Sequence, residues 1–356
     1  MRMLKPIRSR LTLAVGLAAL AVFAQAAPAE WVVGPQELVQ AGGADIVVPG
    51  YSVPSFAYWN DDGLRDLIVG EGGNGETPKV RVYLNVGTAS APQFDDWFYV
   101  QSYVGDLTFT GPGCPPCYLG VCMGLFPRVV YWDADGLKDL LVGQPDGSVK
   151  VFTNVGSEAA PTFDVGTVLQ VGEPGAKVDI SVGGRATPIA LDWNNDGRRD
   201  LLVGALDGKV HIFLNEGSDT SPDFRSETFA QRDGADLLLA TQRTSPHVLD
   251  ADGDGRKDLL LGETNGHVFL FLNVGTDAAP SFSDYTLVMS GGLPIVLPSN
   301  PRTRPFVCDW TGDGLPDLLV GAEDGKLHLY QGIPEPAALA LLAAAAPILL
   351  RRKRAR

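Results

Sequence analysis

The chain has 356 residues, of which 42 are Asp or Glu and 28 are Lys or Arg, so its formal net charge is −14 at pH 7. Residues 1–26 carry a net charge of +4 and residues 334–356 carry another +4, so the part between them carries −22. Because like charges repel, this excludes nucleic acid and anionic lipid as partners of the central part, and it favours divalent cations.

The N-terminal segment has the pattern of a secretory signal peptide. Basic residues at positions 2, 5, 8 and 10 precede an apolar run at 11–24, and Ala24-Gln25-Ala26 supplies a small-x-small cleavage site. A retained membrane anchor is the alternative, but the run is shorter than the roughly 20 residues that a helix needs to cross a bilayer. We therefore predict that residues 1–26 are a signal peptide with one helix, and that the chain is exported.

Five copies of an acidic loop follow, and they align on one Asp-Gly step. The glycines of these steps are Gly63, Gly136, Gly197, Gly255 and Gly314. Their spacings are 73, 61, 58 and 59 residues, so the period is near 60. Each loop leads into a short apolar run, then a Gly-containing turn, then an alternating apolar segment, and no stretch of the period has the pattern of a long helix. The pattern predicts about four short strands in every period.

Short strands at even spacing, joined by Gly-rich turns, are typical of a β-propeller. Residues 31–332 hold five such periods, within the range of ~4–8 blades that propellers use. We therefore predict an all-β fold, a β-propeller of about five four-stranded blades in residues 27–332. An open array of repeats and a ring completed by a second chain are the alternatives. The sequence leaves open whether the segment at 37–48 closes the last blade.

The acidic loops have the oxygen-rich spacing that a hard cation requires. Positions 1, 3 and 5 of each nine-residue loop offer side-chain oxygens, position 7 a backbone carbonyl, and position 9 another carboxylate. Loops three, four and five keep this set, and we predict that they bind Ca²⁺ rather than a transition metal. The predicted ligands are Asp192, Asn194, Asp196 and Asp200, then Asp250, Asp252, Asp254 and Asp258, then Asp309, Thr311, Asp313 and Asp317.

Loops one and two depart from this set because Tyr58 and Tyr131 stand at position 1. The remaining ligand candidates are Asn60, Asp62 and Asp66 in loop one, and Asp133, Asp135 and Asp139 in loop two. They could hold a weaker ion with the help of water. Alternatively, each loop is only a turn, in which Asp and Asn accept hydrogen bonds from nearby backbone N–H groups and no ion is needed.

The fullest loop is Asp250-Ala-Asp252-Gly-Asp254-Gly-Arg-Lys-Asp258, followed at once by Leu-Leu-Leu-Gly262. This pattern resembles the FG-GAP/VCBS repeats of bacterial surface proteins and of integrin α-subunit propellers. The resemblance covers nearly all of residues 50–332. It implies a propeller fold, calcium in the loops and a role in adhesion or recognition, and it does not imply a particular ligand.

Two sets of residues are predicted to be structural. A tryptophan occupies position 2 of four loops and is interpreted as blade packing, with carbohydrate stacking as the alternative, and Cys308 is interpreted as a small core residue. Cys114, Cys117 and Cys122 lie in the longest insertion, between the first two blades. In an exported chain we expect a disulfide among these three, without a prediction of the pairing.

Three carboxylates raise the question of catalysis. Glu71, Glu263 and Glu323 follow corresponding strands and could approach one end of the ring, where a carboxylate pair would suggest a glycosidase. The chain has no Gly-x-Ser-x-Gly motif. The many acidic residues in its loops are explained by the predicted cation sites. We therefore predict that the chain is not an enzyme.

The C-terminal segment combines a Pro334-Glu335-Pro336 motif, an Ala/Leu-rich stretch at 337–350 and a basic end at 351–356. This order resembles the PEP-CTERM sorting tail of Gram-negative bacteria. It implies that residues 333–356 hold the exported chain in the inner membrane by a transmembrane helix, with the basic end in the cytoplasm. An exosortase-type transpeptidase would then cut near the motif. The alternative is an ordinary anchor that is never cleaved, and Pro347 weakens the helix in either case.

These patterns predict an exported, calcium-binding propeller that binds polysaccharide or another surface protein at the cell surface or in an exopolysaccharide matrix. One alternative is a carbohydrate-active enzyme, a glycosidase or lyase, on the same scaffold. The other is a purely structural matrix component.

Overall fold

The computed structural model describes residues 31–72, 77–107, 124–298 and 301–334. All the regular structure in these residues is β-strand, which confirms the all-β prediction. No helix in these ranges is long and apolar enough to span a membrane. The predicted signal peptide, the cysteines at 114, 117 and 122, and the predicted sorting tail beyond Pro334 lie outside the described residues.

The strands form five blades around a central axis, as predicted. From the axis outward, blade one consists of Ser52–Tyr58, Arg65–Glu71, Val80–Asn85 and Phe94–Tyr99. Blade two consists of Phe126–Val130, Asp139–Gly143, Val149–Phe152 and Thr167–Val168. Blade three consists of Thr187–Leu191, Asp200–Gly204, Val210–Phe213 and Thr228–Phe229. Blade four consists of Ser245–Leu249, Asp258–Gly262, Val268–Asn273 and Phe282–Leu287. Blade five consists of Arg304–Cys308, Asp317–Gly321, Leu327–Gly332 and, as its outer strand, Val32–Leu38.

The N-terminal strand closes the ring. Val32–Leu38 pairs antiparallel with the third strand of blade five, with Val33 opposite Gly332 and Leu38 opposite His328. The inner strands contact one another in sequence around the axis, and that of blade five also contacts that of blade one. This settles the question that the sequence left open: the closing strand is Val32–Leu38, which begins before the segment at 37–48. A single chain completes the ring, so neither an open array nor a second chain is needed.

Short hairpins cover the outer edge of every blade. Each precedes its blade in the chain and pairs in parallel with that blade's outer edge, as Ala41 does with Phe94. The hairpins are Gln40–Ala41 with Ala44–Asp45, Gln101–Ser102 with Gly105–Asp106, Gln170–Val171 with Val178–Asp179, Gln231–Arg232 with Ala235–Asp236, and Met289–Ser290 with Leu293–Pro294. Covered edges cannot pair with another chain, which limits aggregation.

A glycine at the end of each second strand lets neighbouring blades approach closely. A Cβ on Gly70 would lie 2.0 Å from the carbonyl oxygen of Leu125, and one on Gly321 would lie 2.3 Å from that of Ser52. The same glycines contact a proline in the next inner strand, and Gly321 contacts Pro54 of blade one across the closure. The apolar run of each repeat ends in Gly because only glycine allows this backbone approach.

The core consists of apolar layers between consecutive blades, one for each of the five neighbouring pairs. The tryptophans at position 2 of the loops are buried in these layers. Trp310, for example, has its ring centroid 4.5 Å from that of Phe56. Their placement supports the blade-packing interpretation over carbohydrate stacking. Cys308 is partly buried against the layer between blades five and one, as a small core residue would be.

Candidate metal-binding loops

All five acidic loops lie at one end of the ring, because each joins an inner strand to the second strand of its blade. We call residues 58–66, 131–139, 192–200, 250–258 and 309–317 the acidic rim. The residue at position 8 links neighbouring loops. Arg65 Nη1 donates to the carbonyl oxygen of Asp309 at 3.1 Å, and Lys257 Nζ donates to Asn195 Oδ1. These links were not predicted from the sequence, although a basic residue stands at position 8 of four loops and could have indicated them.

Loop four brings three carboxylates together. The ligand oxygens of Asp250, Asp252 and Asp254 all lie within 4.8 Å of one another on exposed side chains. Asp250 holds the turn, since its Oδ1 accepts from Gly253 N at 2.8 Å and its Oδ2 from Gly255 N at 2.9 Å. Three carboxylates at this separation repel one another until a cation joins them.

Loops three and five repeat this arrangement. Asp192 accepts from the backbone N–H groups of Asp196 at 3.1 Å and Gly197 at 2.9 Å. Asp309 accepts from those of Asp313 at 3.1 Å and Gly314 at 3.2 Å. The loops differ at position 3. In loop three Asn194 Oδ1 accepts from Asp196 N at 3.1 Å, whereas in loop five Thr311 Oγ1 is buried without a hydrogen-bond partner.

The aspartate at position 9 is buried in all five loops. Asp66, Asp139, Asp200, Asp258 and Asp317 are at most 1% exposed. In Asp139, Oδ2 accepts from Trp132 N at 2.7 Å and Oδ1 from Asn154 N at 2.8 Å, which ties the loop to the end of the third strand. The other four make the equivalent two bonds. Position 9 therefore has a structural role that the sequence analysis did not foresee.

Burial raises the pKa of all five position 9 aspartates, although their backbone hydrogen bonds act in the opposite direction. The pKa of Asp258 rises to about 6. Asp252 and Asp254 contribute to this rise, because a second negative charge nearby disfavours ionisation. The group of three clustered carboxylates in loop four does not include Asp258.

Loops one and two keep the turn without the position 1 acceptor. Tyr58 and Tyr131 are 47% and 51% exposed. The turn of loop two is held by Asp133 Oδ1, which accepts from Asp135 N at 2.9 Å, and by Asp135 Oδ1, which accepts from Leu137 N at 2.7 Å. Asn60 and Asp62 make the corresponding bonds in loop one. Loops one and two therefore fit a turn that needs no ion. They offer fewer oxygens to a cation than loops three, four and five do.

An arginine at position 7 supplies positive charge within two of the loops. Arg198 pairs with Asp196 in loop three, with a nitrogen–oxygen distance of 2.5 Å, and Arg256 pairs with Asp254 in loop four. Loops one, two and five have leucine at this position. The arginine would therefore compete with a cation for the same carboxylate, and the sequence did not predict this pairing.

The donor set of loops three to five fits a hard divalent cation. Each carboxylate oxygen that accepts one backbone N–H keeps further acceptor capacity. Thr311 Oγ1 is an orphaned buried oxygen at a predicted ligand position. Only oxygen donors are offered at positions 1, 3 and 5, as Ca²⁺ prefers. The choice of Ca²⁺ and the complete ligand set stay predictions.

The three glutamates considered for catalysis make local contacts. Glu71 accepts from Arg81 Nε at 2.6 Å. Glu263 is fully buried and accepts from Asn265 N at 2.7 Å and His267 N at 2.9 Å. Glu323 accepts from the hydroxyl of Tyr51 at 3.3 Å. Each carboxylate thus contributes to the stability of its own surroundings.

Solved structures with a similar fold include two glycoside hydrolases. The catalytic domain of Coprinopsis cinerea GH62 α-L-arabinofuranosidase is 14% identical, with a TM-score of 0.49, and the match covers 85% of this chain and 96% of that domain. A GH43_1 enzyme from Xanthomonas citri is 13% identical, with a TM-score of 0.46 and coverage of 86% and 92%. The prediction that the chain is not an enzyme was wrong to exclude catalysis, because enzymes are among its structural neighbours. The likeness assigns no reaction to this chain.

The sequence itself is similar to part of an integrin α subunit. Integrin alpha-4 of Xenopus laevis is 27% identical over 201 residues, which cover 52% of this chain and 18% of the integrin. The chain thus spans less than a fifth of that relative. Residues 192–261 and 250–320 match the model of the FG-GAP-like repeat. These two matches confirm the predicted similarity of the propeller to FG-GAP repeats, over the segment that holds loops three, four and five.

Proposed function

We propose that this chain is an exported, calcium-stabilised propeller that binds a polysaccharide or another surface protein at the cell surface or in the extracellular matrix. The observation that carries the proposal is the acidic rim, with three oxygen-rich loops at one end of a closed ring. The similarity to FG-GAP-like repeats in the same three loops supports calcium binding. The similarity to an integrin α subunit supports a role in adhesion.

Calcium, when bound, would supply positive charge that offsets the excess of carboxylates on the rim. Its ligands would be the side chains at positions 1, 3 and 5 of loops three to five, joined by the position 9 carboxylates. The chain's own residues shape the loops. Asp192, Asp250 and Asp309 hold their turns through backbone N–H groups, so the loops are shaped before an ion arrives. An ion that binds only the folded ring stabilises it by mass action.

The exposed ring of Trp97, packed against the partly buried Tyr99 on blade one, is the best candidate for glycan contact. Trp97 is 41% exposed, and its ring centroid lies 4.8 Å from that of Tyr99. The guanidinium carbon of Arg81 lies 3.9 Å from the Trp97 ring centroid, and Glu71 fixes that arginine. Exposed rings held in place by neighbours lose little freedom on binding and offer a flat apolar face to a sugar ring.

Export and processing complete the proposal. The signal peptide would direct the chain across the inner membrane, and the C-terminal helix would hold it there. An exosortase-type transpeptidase would then cut near Pro334-Glu335-Pro336. The acidic central part would take no nucleic acid as a partner. Replacing Glu335 by Ala should leave the protein in the membrane fraction, and release at the unchanged rate would contradict a role for the motif.

The test of calcium binding uses residues 31–334, which contain the whole closed ring. Its thermal unfolding midpoint is measured with calcium and with chelator, and bound ions are counted by mass spectrometry. We expect a large rise in the midpoint and three ions per chain. An unchanged midpoint without bound ion would show that the loops are only turns.

The test of ligand binding is a glycan array in the presence and absence of calcium, with two variants. Trp97→Ala should lose binding, whereas Tyr285→Ala, at the equivalent place in the outer strand of blade four, should keep it. Equal loss in both variants would contradict the aromatic site. A calcium-stabilised ring that binds no glycan and no surface protein would favour a purely structural component.

A further inference from the structure

A cluster of arginines and aromatic rings lies near the axis, at the end of the ring opposite the acidic rim. The guanidinium carbon of Arg304, in blade five, lies 4.4 Å from the ring centroid of Tyr51 and 5.7 Å from that of Phe126. Arg185, at the start of blade three, lies 5.1 Å from the same Phe126 ring. Phe126 belongs to blade two, which is adjacent to blade three but not to blade five. These contacts therefore cross the axis, and they bring Arg185 and Arg304 to one place.

Both guanidinium groups are buried, and three of their nitrogens have no hydrogen-bond partner. Arg185 is 0% exposed and Arg304 is 2% exposed. Arg185 Nη1 donates to the carbonyl oxygen of Thr244 at 3.1 Å, while its Nε and Nη2 have no partner. Arg304 Nη1 donates to the carbonyl oxygen of Arg302 at 2.9 Å, while its Nε has no partner. Buried donors of this kind are normally satisfied by the protein or by something bound to it.

The described part of the chain provides no matching negative charge for Arg185. Burial lowers the pKa of Arg185, and the charged groups that add to this effect, Arg304 and Arg243, are both positive. Burial, helped by the positive charges of Arg302 and Arg243, lowers the pKa of Arg304 to about 9, and Glu323 is the carboxylate that opposes this fall. Glu323 is already engaged, since it accepts from the Tyr51 hydroxyl at 3.3 Å and pairs with Arg302 at 3.6 Å.

An uncompensated buried charge is strongly destabilising, and the aromatic rings offset only part of that cost. The chain has 42 acidic residues, yet the described ones do not pair with Arg185. A missing counter-charge inside so acidic a protein indicates that the counter-charge comes from outside. Because both guanidinium groups are closed to solvent, whatever supplies it must be small.

We infer that the axis binds a small inorganic oxyanion, phosphate or sulfate, between Arg185 and Arg304. The planar guanidinium group donates two parallel hydrogen bonds to such an anion, and the free Nε and Nη2 of Arg185 are suitable donors. The site lies where the inner strands begin, so the acidic loops at their other end do not repel the ligand. The anion would link blades three and five across the centre of the ring.

The experiment titrates the purified protein with sulfate and, separately, with phosphate, in chelator and at constant ionic strength made up with chloride. Thermal unfolding and calorimetry report binding, and ion chromatography of the denatured protein reports any anion that co-purifies. We expect a saturable rise in the midpoint at sub-millimolar anion and one anion per chain. Sulfate also stabilises proteins in general by exclusion from their surface, but that effect does not saturate.

Two variants separate the site from this general effect. Arg185→Met should lose the saturable rise and keep the general one, and without anion it should be at least as stable as the wild type because it removes an uncompensated charge. Arg225→Met, a matched change at a surface arginine paired with Asp223, should behave as the wild type. The same saturable rise in Arg185→Met would overturn the inference. Should that variant not fold, wild-type protein that neither retains nor binds an anion would overturn it as well.

Discussion

Loops three to five and loops one and two have the same turn but differ at one residue that matters for a cation. In the first group, Asp192, Asp250 and Asp309 each accept two backbone N–H groups at position 1. In the second group, half-exposed tyrosines stand there. Yet the position 9 aspartate is buried and doubly hydrogen-bonded in all five. The aspartate at position 9 therefore stabilises the conformation of every loop, whereas the residue at position 1 determines how many oxygens the loop offers to an ion.

The similarity to FG-GAP-like repeats follows the same division. The matched residues, 192–320, include loops three, four and five and exclude the two loops that have tyrosine. Five blades share one architecture, and three of them also have the full set of candidate ligands. Four changes test whether these two properties are separable.

The largest effect is expected at position 9, and loop two isolates it from metal binding. Asp139→Ala removes the acceptor for the buried N–H groups of Trp132 and Asn154. We expect the free energy of unfolding in chelator to fall by about 3 kcal/mol, since hydrogen bonds to a charged group are worth ~1.5–3 kcal/mol and unpaired buried donors add to the loss. The measurement is urea denaturation.

The control in the same loop is Asp135→Ala, an exposed residue that accepts one backbone N–H. It should cost about 1 kcal/mol or less. Equal losses in the two variants would mean that position 9 has no special structural role.

The second effect is the removal of calcium from loops three to five. We expect chelator to lower the free energy of unfolding by about 2.7 kcal/mol for each site that was held at 100 times its dissociation constant. Asp250→Asn keeps an oxygen in place but removes a charge, so it should reduce the ion count from three to two at low calcium. Asp133→Asn in loop two should leave that count unchanged. A loss of one ion in both variants would contradict the proposed difference in calcium binding between loops three to five and loops one and two.

The third change gives a loop of the second group the position 1 residue of the first group. Tyr131→Asp gives loop two the position 1 carboxylate, while the carbonyl oxygen of residue 131 still accepts from Arg199. We expect one additional bound ion and a stronger dependence of the unfolding midpoint on calcium. Tyr131→Leu should gain nothing, because it removes the ring without adding an oxygen. An unchanged ion count in Tyr131→Asp would show that position 1 is not what separates the two groups.

The sequence predicted the features that repeat and missed those that depend on contacts between distant residues. The 60-residue period, the five blades and the turn at each Asp-Gly step are local patterns, and all are present. The sequence left the closing strand at Val32–Leu38 undetermined, because its position depends on pairing with residues almost 300 positions away. The meeting of Arg185 and Arg304 has no local signal, since two different blades supply them.

The position 9 aspartates show the same limit in another way. Their spacing fits a metal ligand and a hydrogen-bonded turn equally well, and only the fold shows that each one accepts from the far end of the third strand. For Asp258 that partner is Asn273 N at 2.8 Å. A residue can therefore have the spacing of a metal ligand while its observed role is to stabilise the fold through hydrogen bonds.

The smallest effect is expected at position 7, which distinguishes two loops within the first group. Arg256 pairs with Asp254, whereas the corresponding residue of loop five is Leu315. An exposed ion pair of this kind is worth ~0.2–1 kcal/mol, so Arg256→Leu should tighten calcium binding in loop four by a factor between about 1.4 and 5. Leu315→Arg should weaken binding in loop five by a similar factor. Calorimetry on the two variants measures both, and shifts of the same sign would contradict competition between the guanidinium group and the ion.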